Sequence, residues 1–164
     1  MQEQDSLISV YDVSGKIISN KLRKDVDKKN DILKTVIILV INNQNKVFIT
    51  KIPSNHFTER WGASAAGMVR KDEKIIDAAK RTLNRELDLL KNPIFLSENF
   101  YDFNVIKRFM SVFYIKTGDL PKVNPDDVFG SKWMTFNEID KNIDSFIPTF
   151  RVAFEILKKK TKFR

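Results

Sequence analysis

Residues 67–89 hold the spacing in this 164-residue chain best suited to chemistry: Gly67-x5-Glu73-x7-Arg81-Thr82-Leu83-Asn84-Arg85-Glu86-Leu87-Asp88-Leu89. Successive residues of an α-helix advance by about 100°, so positions 82, 85 and 86 fall within about 100° of one another on one face. An apolar stripe of Ile76, Ala79, Leu83, Leu87 and Leu90 recurs at spacings of three and four, roughly a quarter turn away. A helix so patterned, expected over 74–90, packs through its stripe and offers 82, 85 and 86 to a cleft. Glu86 then presents a carboxylate. Arg85 presents a planar guanidinium, whose fork matches phosphate oxygens bidentately. Asp72 is placed to cap the helix start, Glu73 lies near the positive end of the dipole, and Pro93 lies just past the helix end.

The pattern resembles the signature box of the Nudix superfamily, G-x5-E-x7-R-E-U-x-E-E-x-G-U, where U is a bulky aliphatic residue. Gly67, Glu73, Arg81, Leu83, Glu86 and Leu89 match it. Thr82 and Arg85 stand where the family carries glutamates, and Asp88 where it carries glycine. Around the box, Trp61-Gly-Ala-Ser-Ala-Ala-Gly-Met-Val69 is similar to the lead-in of the branch related to isopentenyl-diphosphate isomerase. Trp133-Met-Thr-Phe-Asn-Glu138-Ile resembles an element near the end of these domains, so the resemblance spans roughly residues 8–157. It implies hydrolysis of a phosphoanhydride by metal-activated water, with magnesium or manganese bound by Glu86 and by the backbone carbonyl of Ala66. It also implies that Glu73 and Arg81 brace the loop against the helix. The isomerase itself is a poor match for this chain, since its chemistry needs a cysteine and histidine metal ligands; this chain has no cysteine and one histidine, His56.

The departures shape the functional expectation. A hard divalent cation takes oxygen ligands, and Thr82 cannot replace a carboxylate. A guanidinium about 5 Å from such an ion is repelled by roughly 6 kcal/mol at an effective dielectric of 20. Arg85 is therefore expected to bind phosphate, with Arg70 and Lys51 flanking the cleft. If the protein is catalytic, Glu86 acts with magnesium or manganese; if not, no metal is needed. Glu98, Asp102, Asp126 and Asp127 lie after the box as acids that could restore a base, with Glu98 and Asp127 as the named candidates. Phe48, Phe57, Tyr101, Phe103 and Phe113 are read as core, with a base-stacking surface as the alternative.

The elements that must position this box read as follows. Residues 8–13 and 17–23 flank Ser14-Gly15 as an N-terminal β-hairpin. Strands are expected at 35–42 and 46–52, extended chain at 61–67, paired strands at 94–104 and 106–117, and a short strand at 132–135. A brief helix starts near Asn137, and a last helix over about 148–160 turns Phe150, Ala153, Phe154 and Leu157 inward. The fold class is α/β (α+β), with a mixed β-sheet sandwiched between helices. One domain is expected over 1–164, with mobile ends at 1–7 and 159–164.

Composition sets the outer bounds. The absence of cysteine removes disulfides, thiolate metal sites and cysteine nucleophiles. No apolar run reaches the roughly 18 residues of a membrane span, and the N-terminus lacks a signal-peptide pattern, so a cytoplasmic protein without membrane contact is expected. The net charge of +8, from 29 basic and 21 acidic side chains, favours anionic partners. Two functional readings stay open: a phosphoanhydride hydrolase with weakened or lost catalysis, or a non-catalytic module that binds a nucleotide or nucleic acid. A homodimer remains among the expected states.

Overall fold

The computed structural model describes residues 3–51, 60–126 and 128–163. The strands are β1 (Leu7–Tyr11), β2 (Ile17–Leu22), β3 (Leu33–Ile41), β4 (Lys46–Lys51), β5 (Ala65–Met68), β6 (Ile94–Asp102), β7 (Lys107–Lys116) and β8 (Gly130–Thr135). The helices are α1 (Ile75–Leu87), α2 (Phe136–Lys141) and α3 (Pro148–Lys160). Strands β1 and β2 form the N-terminal hairpin, whose turn is tightened by the Asp12 carboxylate accepting from the Ser14 and Lys16 amides, with Gly15 at φ 89°. The larger sheet runs β6-β7-β3-β4-β8, with β5 also paired to β3. The β3–β7 pair is parallel and the others are antiparallel, which makes the sheet mixed.

Helices cover both faces of that sheet, which explains the continuous apolar run of β3. Ile37, Leu39 and Ile41 pack with Met110, Val112, Phe150, Phe154 and Leu157 on the α3 side. Val36, Ile38 and Val40 pack with Ala78, Ala79, Leu83 and Leu87 of α1 on the other. The α2 start carries a reciprocal cap between Thr135 and Glu138. No helix among the described residues is long and apolar enough to cross a membrane.

Near the cleft the sheet is not a continuous ladder. β3 and β4 pair only at Ile41 and Val47, then diverge. The chain at 61–68 crosses the gap: Gly62 bonds Thr50 of β4, while Ala65–Met68 bond Thr35–Ile38 of β3. Ser64 sits at the crossing. Its hydroxyl donates to the Phe48 carbonyl and accepts from the Val40 amide at 2.8 Å.

Helix α1 departs from the expected 74–90 at both ends. Its N-cap is Lys74, without a side-chain bond, while Asp72 lies in the preceding turn at φ 60°. Asp88 turns left-handed at φ 53° and ends the helix. That turn buries Leu89 (3% exposed) in place of Leu90 (82% exposed), so Leu90 does not belong to the stripe. The left-handed region disfavours residues with a Cβ, and glycine lacks the penalty. Asp88→Gly is expected to stabilise the fold by about 0.5–1 kcal/mol, read as a rise in the denaturation midpoint with an unchanged m-value.

Within the two end segments, the described residues make contacts with the body. Glu3–Asp5 form a 3-10 turn tied to the body by ion pairs of Glu3, and Ser6 is buried. At the other end Phe163 packs edge-on against Tyr114, and the Lys160 ammonium donates to the Leu96 carbonyl at 2.7 Å.

Candidate functional site

The segment between β5 and α1 is held by one arginine. Arg81 donates from Nε to Glu73 Oε1 at 2.8 Å, and from a terminal nitrogen to Glu73 Oε2 at 3.0 Å and to the Met68 carbonyl at 2.9 Å. Glu73 Oε2 also accepts from the Arg70 amide at 2.9 Å. Burial alone would raise the Glu73 carboxyl; the Arg81 and Arg70 bonds outweigh it and hold the group below the usual carboxylate range. Gly67 approaches α1 so closely that a Cβ there would meet Thr82 Oγ1 at 2.6 Å. Gly67→Ala is expected to cost about 1–3 kcal/mol through overpacking. Adding Thr82→Ala removes the obstructing atoms and is expected to restore most of it, as a double-mutant cycle of urea midpoints would show.

That close approach corrects one expectation. Thr82 does not face the cleft beside Arg85 and Glu86; it is fully buried beneath Gly67, and its hydroxyl has no hydrogen-bond partner among the described residues. Arg85 and Glu86 do line a common cleft of about 490 Å³, together with Glu3, Arg23, Lys28, Thr50, Ser64, Asp126 and Val128. The Arg85 guanidinium lies 3.1 Å from Glu86 Oε1. The Ala66 amide donates to Glu86 Oε2 at 3.2 Å, so it is the N–H of Ala66 that the structure brings to this carboxylate. A smaller, mainly apolar hollow of about 90 Å³ shares Glu86 and Thr50 with the cleft and is also lined by Ile37, Ala63, Ala65 and Ile147. A larger hollow of about 560 Å³ lies between α2, α3 and the Asn45 turn, away from the box; its Asp140 and Glu155 are both paired with Lys158.

Glu3 is the residue that sequence reasoning missed. Its Oε1 lies 2.7 Å from Arg23, 2.7 Å from Arg85 and 3.5 Å from Arg81, and its Oε2 lies 2.5 Å from Arg70. One carboxylate thus sits among four guanidiniums from the β2 end, the β5–α1 segment and α1. Burial would raise its pKa, but the Arg70 hydrogen bond and the charges of Arg85, Arg70 and Arg23 prevail and hold it below the usual range. Burial pushes Arg23 down, with Arg85 and Arg81 adding repulsion against the attraction of Glu3. Nothing local in Met-Gln-Glu-Gln-Asp signals this role; the acidic start was its only trace.

The remaining candidates scatter. Lys51 lies over the Trp61 ring at 5.6 Å, beside Lys132 at 4.5 Å, and does not line the cleft. Glu98 is exposed on the edge strand β6, two strands from β3, and Asp102 pairs weakly with Lys107 at 3.9 Å. Asp126 reaches the cleft wall. Asp127, His56 and Phe57 lie outside the described residues. Phe48 packs on Trp133, and Phe113 on Phe95, so these rings belong to the core.

Magnesium or manganese fits this set of donors poorly. Glu86 is the box carboxylate on the cleft, a guanidinium rests on it, and Thr82 points elsewhere. No group of three or more His, Cys, Asp or Glu side chains placed to hold a metal occurs among the described residues. The cleft sets the cations of Arg23, Lys28 and Arg85 beside the carboxylates of Glu3, Glu86 and Asp126.

Residues 32–152 match the model of the family described as the NUDIX domain. Among solved structures, the DR0079 protein of Deinococcus radiodurans aligns at a TM-score of 0.76 and 19% identity, over 95% of this chain and 99% of that one. A MutT protein from Methanosarcina mazei Go1 aligns at 0.67 and 17%, over 84% and 100%. A bifunctional NMN adenylyltransferase/ADP ribose pyrophosphatase from Francisella tularensis, complexed with AMP and manganese, aligns at 0.61 and 20%, over 77% and 41%. At these identities the likeness establishes the fold alone. No curated protein matches the chain.

Proposed function

This chain belongs to the NUDIX domain family, and from that premise we propose that it recognises a small, nucleotide-like molecule through its diphosphate, with phosphoanhydride hydrolysis weakened or lost. The observation that carries this reading is the Arg85 guanidinium resting on Glu86 at 3.1 Å, where a metal-binding pair of acids would be needed for turnover. Thr82, sealed beneath Gly67, adds no ligand. Arg85, Arg23 and Lys28 put three cations on the cleft wall, where Glu3, Glu86 and Asp126 balance them, and the two guanidiniums offer forked donors suited to phosphate oxygens. The Trp61–Val69 lead-in supports a place beside the isopentenyl-diphosphate isomerase-like branch, and the Francisella neighbour makes ADP-ribose a substrate to try. A cytoplasmic location belongs to the same proposal.

Calorimetric titration with ADP, in EDTA and again with magnesium, tests the binding claim. Binding that persists in EDTA is expected; strict dependence on magnesium would overturn it. Losing preorganised charge at the transition state commonly costs about 10²–10³ per group. Turnover of nucleoside triphosphates, ADP-ribose and dinucleoside polyphosphates is therefore expected to be at least about 100-fold below ordinary members of the family, and ordinary rates would refute the loss of catalysis.

The charge of +8 favours a second reading, a non-catalytic module that binds nucleic acid. Mobility shift with RNA and DNA at rising salt separates the two, since phosphate-driven binding weakens steeply with salt.

A further inference from the structure

We infer that Glu3 is a built-in occupant of a phosphate cradle formed by Arg23, Arg70, Arg81 and Arg85, so that a diphosphate group and the N-terminal turn exclude one another. The inference deepens the proposed diphosphate recognition and rests on it. Three features of the cradle support it.

The first is charge. With Glu3 seated, four guanidiniums meet three carboxylates, those of Glu3, Glu73 and Glu86. Without it, four meet two. The two positive charges left over match a phosphate dianion, and Glu73 is committed to bracing Arg81 and Arg70. The second is hydrogen bonding. Both Glu3 oxygens are engaged, Oε1 by Arg23 and Arg85 with Arg81 beyond, and Oε2 by Arg70, yet the buried Arg70 Nε has no hydrogen-bond partner among the described residues. A phosphate brings three oxygens where a carboxylate brings two, so it can serve a donor that Glu3 leaves unserved. The third is attachment. Gln4 and Asp5 are exposed; among the described residues the Glu3 side chain and a loose Lys24–Asp5 pair at 3.8 Å tie the turn to the body, and the Ser6 amide on the Glu3 carbonyl at 3.2 Å closes the turn itself. The buried Ser6, whose carbonyl accepts from the Arg23 amide at 2.8 Å, marks where peeling would stop. Glu3 also lines the cleft that holds Arg85 and Glu86, so the vacated position opens directly onto it.

The test titrates the full-length protein with inorganic pyrophosphate in EDTA, comparing wild type, Glu3→Gln, Glu3→Ala and the charge control Glu155→Gln on α3. Thermal melts confirm folding of each. Both Glu3 variants are expected to bind pyrophosphate at least tenfold more tightly than wild type, with Glu155→Gln unchanged. Adding Arg23→Ala to Glu3→Ala is expected to abolish the gain. In wild type, saturating pyrophosphate is expected to speed hydrogen exchange at the Ser6 amide. Equal affinity in wild type and the Glu3 variants would overturn the placeholder and leave diphosphate recognition standing. Binding by none of them would overturn both. A gain matched by Glu155→Gln would reduce the effect to net charge and also overturn the placeholder.

Discussion

Replacing Arg85 by glutamate is expected to raise affinity for manganese by about two orders of magnitude. The argument is electrostatic. Reversing one unit charge to its opposite, about 5 Å from a divalent ion, changes their interaction by about 3 kcal/mol even at a water-like dielectric of 80, a factor of about 10². A partly dry cleft gives more. The substitution would also free Glu86 from the guanidinium that lies on it at 3.1 Å and set a second carboxylate beside it, the oxygen-rich arrangement that hard cations take. Manganese titration followed by water-proton relaxation reads the effect directly. No change in affinity would show that Arg85 is not what keeps a cation from this face. The same variant is expected to loosen the N-terminal turn, because Arg85 would no longer hold Glu3 at 2.7 Å.

Removing the Glu73 carboxylate is expected to give the largest loss of stability among single changes at the site. Glu73→Ala leaves Arg81 without its paired acceptor and the Arg70 amide without a partner, in a region where both side chains are mostly buried. Breaking one partner of such a pair costs more than the pair contributes, because a charge is left partly buried and unpaired. A loss of about 2–4 kcal/mol is expected, which for a chain of this length lowers the melting temperature by about 5–15 °C. The pH profile carries the same signature. The folded-state pKa of Glu73 is depressed, so its contribution is fully present above the ordinary glutamate value of 4.5 and is lost as pH falls through the folded value. Glu73→Gln should therefore melt lower than wild type at pH 7, with the difference shrinking toward pH 3. A constant difference across that range would refute the assignment.

The strands were legible because each satisfies a local rule. The apolar run of β3 fits a strand covered on both faces, and Ser14-Gly15 fits a hairpin turn. Helix α3 was legible from Phe150, Ala153, Phe154 and Leu157, all buried. What escaped was set by tertiary contacts. A helical wheel resolves side chains to about 100°, too coarse to tell Thr82 from Arg85; the close approach of Gly67 makes that distinction. The end of α1 was misplaced because Leu90 continues the period, while Asp88 breaks the backbone in a left-handed conformation; its place at the family's glycine position was the available signal. Glu3 was invisible because its partners lie 20 to 82 positions away, and no periodicity spans such separations.

Ser64 carries a consequence of its own. Where two strands part, a normal sheet would leave a row of unmet amides and carbonyls; here one hydroxyl stitches Val40 to Phe48 across the split. The two halves of the sheet are then joined at that level by a side chain instead of a backbone ladder. The same crossing segment adds the Gly62–Thr50 backbone pair and the Thr50 hydroxyl on the Ala63 carbonyl at 2.6 Å, so β3 and β4 are held together through a third piece of chain. Since Ser64 and Thr50 also form part of the cleft wall, the shape of the cleft's floor is set by side-chain hydroxyls at the place where the ladder is interrupted.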